Sequence, residues 1–533
     1  MTNPPNRAEL PRHPDTTVVL LAPELFGTTP PDTAALIASL TRPHLRVRLL
    51  VRLSNPGDLT LAEAVAKARI EVQVLLPAGM DVPATALPLA QMPSGSTEAQ
   101  TNDLTLALAD RLFVPEPTSA RPLTKPVQDF LKLAADLHKP FIIPGAPALL
   151  HKERLRGVAN GLDPERWFWL PPLRCLPGRP EQFLLELFAF NWKGRRHDGF
   201  AESKRKLRKC FSFKNWKNES YFAPGNWKDV VTDRAAQDSS QPIVAGFDRL
   251  DRSALFGSRI HRDFAWIAYL AAAFAVLFAV LGSIESARIF PEKFWSGAEL
   301  TALLVILAIT GISRLSRLRD RWTACRFGAE QLRIARMCLP LMVVPAALCT
   351  DDSVPRPTES QRALARVKRV VRDQGLPDLR TREPLEAAHW LDLIGSDQTN
   401  YHLENHEKLE CAERRMVWLT GFLFAVALGV VGWHFSYPDS EGRYSLIWTA
   451  AMPAFAAAMH GVTTRLGFVH RIQLSLEAEV ELTPIRDDLK ALITGGAPDW
   501  SLVRDLAKRA ADAMARETTS WHSQVRRQQD DLT

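Results

Sequence analysis

FAWIAYLAAAFAVLFAVLGSI, at residues 264–284, is an apolar run of 21 residues without a charged side chain. An α-helix of that length is about 31 Å long, which matches the hydrocarbon core of a bilayer. The run therefore predicts a transmembrane helix. A buried helix of a soluble bundle is the alternative interpretation.

Three further apolar segments follow along the chain. Residues 294–313 contain one charge, Glu299, near their start, and residues 416–435 contain none. Residues 444–464 are less apolar and contain Pro453, which a membrane helix tolerates where neighbouring groups satisfy the freed carbonyl. The sequence thus predicts four transmembrane helices, again with buried soluble helices as the alternative.

Arginines concentrate on one side of these segments. They precede the first and third segments and follow the second and fourth, at Arg252, Arg259, Arg262, Arg314, Arg317, Arg319, Arg321, Arg326, Arg333, Arg336, Arg414, Arg415, Arg465 and Arg471. The short connections 285–293 and 437–443 are close to neutral. Because cytoplasmic loops carry the excess of Lys and Arg, we expect both termini in the cytoplasm.

The four segments form two hairpins of the same orientation, which indicates a duplicated unit. The predicted organisation begins with an N-terminal domain (1–150), a basic linker (151–245) and a first two-helix unit (246–350). A cytoplasmic connector (351–400), a second two-helix unit (401–495) and an amphipathic C-terminal helix (496–533) follow.

Composition excludes several classes of protein. The net charge of +7 and the pI near 9.1 are mildly basic, which is not typical of a dedicated nucleic-acid binder. Six cysteines lack metal-type spacing, so a reducing compartment fits better than a disulfide scaffold. Residues 1–17 contain no apolar core of a signal peptide, so we expect no cleavable leader.

The N-terminal domain alternates strand and helix patterns. Strand-like apolar runs lie at 17–22, 45–53, 70–77 and 139–145. Helical patterns lie between them at 30–40, 61–69 and 126–138, and a helix that runs into a strand is predicted at 103–115. This alternation predicts a Rossmann-like parallel sheet with helices on both faces. The predicted fold class is therefore α/β plus membrane α-helical, with long cytoplasmic helices beside the two hairpins.

Ligands of such sheets bind beyond the carboxyl ends of the strands. The candidate ligand-binding residues are those at the predicted strand ends, namely Pro23, Glu24, Gly27, Ser54, Gly57, Asp58, Glu116 and Thr118. Glu24 and Glu116 are also the best candidates for acid–base chemistry on a nucleotide, although carboxylates at loop ends usually face solvent. No standard catalytic motif is present, so no catalytic residue is assigned.

Residues 50–77, LVRLSNPGDLTLAEAVAKARIEVQVLLP, resemble the SLOG family of Rossmann-like nucleotide-sensing domains. Gly57, Asp58 and Glu63 match that family's motif positions. Pro23 to Leu25 and Pro122 to Thr124 stand where the family has glycine-containing motifs. The resemblance implies a possible nucleotide ligand and no other cofactor, with a degenerate domain kept for packing or partner contact as the alternative.

The linker carries a basic and aromatic stretch, AESKRKLRKCFSFKNWKNESYF, at residues 201–222. Basic residues ahead of a membrane helix on the cytoplasmic side are typical of contact with anionic lipid. Basic residues interleaved with aromatics also occur in single-stranded nucleic-acid binders. We favour the lipid surface or a solvated loop over nucleic acid as the partner of this stretch.

Residues 250–525 resemble the SLATT family of two-helix membrane proteins. The residues that match its motifs are Trp322, Arg326, Glu330 and Arg333 after the first hairpin, and Gln398, Tyr401 and His402 before the second. The resemblance implies a bacterial inner-membrane effector of anti-phage conflict systems. In such an effector, copies assemble and form a pore when the cytoplasmic domain detects a nucleotide signal.

Two polar residues inside the apolar segments are candidates for pore function. Glu299 could form an acidic ring at a pore mouth, and His460 could form a buried contact or a gate. An interfacial, satisfied side chain is the alternative for each. His402, His406 and Glu410 recur on one helix face but lack the spacing of a zinc motif, so we assign no metal site.

Three functions remain open at this point. The first is a pore-forming effector that works as a homo-oligomer in the lipid bilayer. The second is a membrane-tethered enzyme acting on nucleotides. The third is a non-catalytic membrane scaffold.

Overall fold

The computed structural model describes residues 16–22, 33–41, 46–53, 58–78, 80, 85, 87–113, 125–136, 141–142, 179–190, 234–284, 291–349, 358–375, 383–437, 445–496 and 498–530. The basic stretch of the linker lies outside these residues.

A six-stranded parallel sheet forms the N-terminal domain. Its strands are β1 (Thr16–Leu21), β2 (Arg46–Arg52), β3 (Glu71–Leu76), β4 (Leu89–Gln91), β5 (Arg111–Phe113) and β6 (Phe141–Ile142), in the order β4-β3-β2-β1-β5-β6. Their apolar side chains are buried, as expected for a parallel sheet covered on both faces. The parallel α/β architecture is confirmed, and β4 is a strand that the sequence patterns did not predict.

Four helices accompany the sheet, namely α1 (Thr33–Leu40), α2 (Asp58–Lys67), α3 (Glu98–Leu108) and α4 (Lys125–Asp136). Helix α3 begins with a capping box, in which the Thr97 side chain accepts from the Gln100 amide and the Gln100 side chain accepts from the Thr97 amide. This cap fixes the start of α3 after a turn at 93–96.

The rest of the described chain is helical. Its helices are α5 (Arg179–Phe188), α6 (Arg234–Ser283), α7 (Glu292–Leu315), α8 (Leu318–Cys338), α9 (Glu359–Gln374), α10 (Pro384–Ser436), α11 (Met452–Leu466), α12 (Phe468–Thr494) and α13 (Trp500–Asp530), with short 3-10 turns at Leu339–Leu341 and Ala346–Cys349. A π-helical turn at Ile447–Ala451 leads into α11.

Within the described residues, three helices are long and apolar enough to cross a membrane, namely α6, α7 and α10. Helix α6 has 50 residues and is about 75 Å long, more than twice the thickness of the hydrocarbon core. Only its apolar end, from Phe264 onward, has the composition of a membrane span, and its polar half continues without a break into the helical bundle. Helix α10, with 53 residues, has the same construction.

The fourth apolar segment differs from the uniform helix that we predicted at 444–464. Helix α11 has only 15 residues, and Pro453 lies in its first turn, directly after the π-helical turn. Proline lacks a backbone N–H and disrupts the bonding of the preceding turn, which explains the irregular start. Four membrane passes, and the orientation of the termini, therefore stay predictions.

The two hairpins use the same packing arrangement. Helix α8 packs along α6, and α12 packs along α10. In each half the chain turns through one residue in the left-handed conformation, Arg317 between α7 and α8 and Gly467 between α11 and α12. Each second apolar helix therefore leads directly into a helix that folds back along the first.

One continuous hydrophobic core joins the sheet to the helices. Buried Leu20 and Leu50 of the sheet belong to the same cluster as Leu332 of α8, Val367 of α9 and Val503 of α13. A separate, smaller cluster includes Trp266, Met416, Val462 and Phe468 at the start of the apolar region. The sheet and the polar helices thus form a single packed body that continues into the apolar helices.

Candidate functional site

The residues that carry the SLATT resemblance lie close together in one polar cluster between α8 and α10. Glu330 is its centre, with the Arg326 guanidinium 2.5 Å and the Arg333 guanidinium 3.1 Å from its carboxylate. All three lie on one face of α8, because residues three and four apart are neighbours on a helix surface. The pairing of Glu330 with Arg333 was expected from their spacing.

The cluster bridges both two-helix units. Arg333 donates to the Gln398 side chain of α10 over 3.2 Å, and its guanidinium lies 5.4 Å from the centre of the Phe247 ring of α6. Arg326 also lies 3.8 Å from Asp251 of α6. A buried ion network with partners on three helices fixes how those helices pack, because moving one helix leaves buried charge uncompensated.

The charge states of this cluster follow from its surroundings. Burial alone would raise the pKa of Glu330, but Arg326 and Arg333 outweigh burial and hold that pKa below its usual value. Glu517 of α13 lies 3.5 Å from His402. Burial, together with repulsion from Glu330, raises the pKa of Glu517 to about 7. Glu517 therefore exchanges its proton close to neutral pH, whereas Glu330 stays ionised.

A cavity of about 180 Å³ opens beside the cluster, where α6, α8, α10, α13 and the junction of α11 with α12 meet. Its wall includes Trp322, whose ring stacks on His261 with centroids 5.1 Å apart, and Tyr401. The cluster and this cavity form the candidate site in the helical part of the chain.

The predicted ligand site of the sheet domain can be placed only in part. Pro23, Glu24, Gly27, Ser54, Gly57, Glu116 and Thr118 lie outside the described residues. Asp58 is the first residue of α2 and is half-buried. Strands β1 and β5 are neighbours, with Leu21 beside Phe113 at their carboxyl ends, and the strand order reverses there. This is the position at which open α/β sheets bind ligands.

Near the amino ends of its strands, the sheet docks onto the helical bundle. Asp110, just before β5, accepts from the Val18 amide over 2.9 Å and forms an ion pair with Arg372 of α9. Arg48 of β2 donates to the Arg372 carbonyl over 2.6 Å. Helix α9 ends at Gly375, where a side chain would lie 3.0 Å from Gln73 and a positive φ of 72° favours glycine.

Arg504 of α13 makes a second connection between the two parts. Its guanidinium donates to Ser96 over 2.6 Å and to Gln100 over 3.1 Å at the start of α3, and to the Met342 carbonyl over 3.1 Å. Sequence reasoning missed Asp110, Arg372, Arg504, Asp251 and Glu517. Their partners are distant in the chain, and no short motif marks them.

The two candidate pore residues lie apart from this site. Glu299 is half-buried in the first half of α7, and the His460 side chain is exposed near the end of α11. His460 thus has no buried environment within one copy, and a role in an assembly stays a prediction. His406 faces Glu479 at 3.4 Å, and within the described residues no group of His, Cys, Asp and Glu is arranged to hold a metal ion.

Comparison with protein-family models, with curated proteins and with solved structures finds no match to this chain.

Proposed function

We propose that this protein is a membrane effector of a bacterial anti-phage or conflict system. In this proposal a signal, most simply a nucleotide, acts on the Rossmann-like domain, and several copies then open a pore in the inner membrane. Both termini are in the cytoplasm. The effector class and the nucleotide rest on the resemblance to the SLATT and SLOG families.

One structural observation carries the proposal. The sheet domain and the soluble halves of α6 and α10 share one hydrophobic core, and both helices continue unbroken into their apolar ends. A packed core transmits displacement because it is nearly incompressible. A change at the sheet domain therefore has a direct mechanical route to the membrane helices.

The apolar helices also leave surface for further copies. On α7, Leu300, Leu303, Leu304 and Leu307 are exposed, with Leu307 68% exposed. Lipid or another subunit covers such a face in a bilayer. A single set of these helices cannot enclose a wide aqueous path, because polar groups exposed to lipid are costly. The proposed pore is therefore formed by a homo-oligomer.

The test is a membrane-potential dye assay in cells that express the full chain, with and without phage challenge. Wild-type protein should depolarise the membrane at the time of growth arrest. Phe274→Arg places a charge at an exposed position within the apolar end of α6 and should abolish depolarisation and toxicity. Phe274→Leu, at the same position, keeps the segment apolar and should retain both.

Growth arrest without depolarisation would contradict the proposal and favour a tethered enzyme. Toxicity of Phe274→Arg in cells where that variant no longer fractionates with membranes would contradict it as well.

A further inference from the structure

The cavity beside Glu330 is lined by an excess of positive charge. Five arginines line it, Arg262, Arg319, Arg326, Arg465 and Arg471, against two glutamates, Glu330 and Glu517. The ion pair with Glu330 compensates Arg326. The other four arginines come from α6, α8, α11 and α12, so the tertiary fold and not one local sequence run gathers them.

Two of these arginines, Arg319 and Arg465, lie close enough to repel each other. Burial, and then the charge of Arg465, lower the pKa of Arg319 below its usual value, although the neighbouring Asp320 acts in the opposite direction. Gathering like charges in a cavity costs free energy, and a bound anion would relieve this cost.

Two helix amino termini add to the positive potential. Arg319 lies in the first turn of α8, and Gly467 is the N-terminal cap of α12, and both line the cavity. The amino end of a helix carries a partial positive charge and unpaired N–H groups, which favour phosphate.

The cavity lies at the level where the apolar segments end. Arg262 precedes Phe264 by two residues, and Arg465 is the penultimate residue of α11, which ends at Leu466. Leu255, Leu466 and Leu474 supply an apolar wall beside the arginines. A volume of about 180 Å³ is well above the roughly 10–15 Å³ that a cavity needs to hold one water molecule, which leaves room for one phosphate group.

We propose that this cavity binds a phosphate group, with Arg319 and Arg465 as its principal ligands. Arginine suits this role because its planar guanidinium donates two parallel hydrogen bonds to phosphate oxygens. The position at the membrane boundary favours the headgroup of an anionic phospholipid, and a dissolved phosphate compound is the other source of the same chemistry. Phosphate binding here does not require that the protein opens a pore.

The test uses the full chain in nanodiscs and compares its thermal unfolding under three conditions. These are phosphatidylcholine alone, phosphatidylcholine with phosphatidylglycerol, and phosphatidylcholine with pyrophosphate in solution. A bound ligand raises Tm because it stabilises only the folded state. A rise with phosphatidylglycerol supports a lipid headgroup, and a rise with pyrophosphate alone supports a dissolved phosphate compound.

The decisive variant is Arg319→Gln with Arg465→Gln. It should lose the Tm rise and bind the anion at least about tenfold more weakly, since one charge-assisted hydrogen bond changes a binding constant by that order. The charge-matched control, Arg486→Gln with Arg509→Gln, removes two arginines that do not line the cavity and should keep the rise.

If the double variant does not fold, each single substitution carries the same test with a smaller loss. No Tm rise for wild-type protein in either anionic condition would overturn the proposal. An equal rise for the cavity variants and the control would overturn it too, because the anion would then bind elsewhere.

Discussion

Glu330 shows how one side chain connects the two helical units. It compensates two arginines of its own helix, and those arginines in turn reach Gln398 of α10 and Asp251 of α6. Such a network adds little net stability compared with an apolar core, but removing one member is costly because the remaining charges stay buried. Its main effect is to select one arrangement of α6, α8 and α10.

Replacing Glu330 by alanine should therefore destabilise the protein by about 3–5 kcal/mol, since Arg326 and Arg333 lose their buried counter-charge. Glu481→Ala is the matched control, because Glu481 pairs with Arg516 over 2.9 Å on the surface, where both side chains are more than 40% exposed. That change should cost about 1 kcal/mol or less. Thermal and denaturant unfolding in one detergent measures both, and equal losses would refute a central role for Glu330.

The residue scale also shows what sequence can predict about the site. The i, i+3 spacing of Glu330 and Arg333 predicted their pairing, because a helix alone places these side chains together. No local rule brings Glu517 from a helix about 190 residues downstream to His402 and Glu330. Contacts between distant segments depend on helix packing, which periodicity does not encode.

At the scale of elements, sequence located the apolar segments but not the helices that contain them. Long runs without charged residues are typical of helices that are surrounded by lipid, so the sequence alone predicts membrane segments at 264–284 and 416–435. Their helices extend far beyond these runs, because the polar halves of α6 and α10 bury one face against α8 and α12. The boundary between the apolar segment and the polar segment therefore falls inside one helix.

Helix α11 approaches α6 closely at a single glycine. A Cβ on Gly461 would lie 2.7 Å from Cδ1 and 3.0 Å from Cζ of the Tyr269 ring, so the ring would have to move. Gly461→Ala should cost about 1–3 kcal/mol through overpacking. The matched control is Gly429→Ala in α10, where an added Cβ meets nothing within 4 Å and helix propensity improves by roughly 0.5–1 kcal/mol.

Thermal unfolding of both glycine variants in the same detergent measures the difference. Gly461→Ala should lower Tm, and Gly429→Ala should leave it unchanged or raise it. The same Tm for both would mean that α11 and α6 do not pack as closely as the structure has them.

At the scale of the whole molecule, the sheet domain docks onto the helical bundle near the amino ends of its strands. Asp110 and Arg48 contact α9 there, whereas ligands of such folds bind at the opposite, carboxyl ends of β1 and β5. A ligand there would act on the bundle through the strands.

The parallel sheet was predictable from its alternating pattern of strands and helices. The contact between the sheet and α9 was not predictable, since Arg372 lies in a helix that resembles an ordinary charged surface helix.

The Asp110–Arg372 ion pair is the part of this route that mutation can test. A double-mutant cycle with Asp110→Asn and Arg372→Gln should give a coupling free energy of about 0.5–3 kcal/mol in unfolding measurements, because the pair is largely buried. Arg362→Gln is the control on the same helix, since Arg362 pairs with Glu359 one turn away, and within the described residues no ion pair joins it to Asp110. It should show no coupling to Asp110.

The same variants separate docking from membrane insertion. Arg372→Gln should still fractionate with membranes, since it leaves the apolar helices unchanged, but it should lose depolarisation on phage challenge if the sheet domain acts through α9. Depolarisation equal to wild type, despite a measured coupling energy, would mean that the ion pair holds the domain in place without transmitting its signal. Arg504, which joins α13 to α3 and to the 339–342 turn, and the shared hydrophobic core would then be the connections from the domain to the helices to test next.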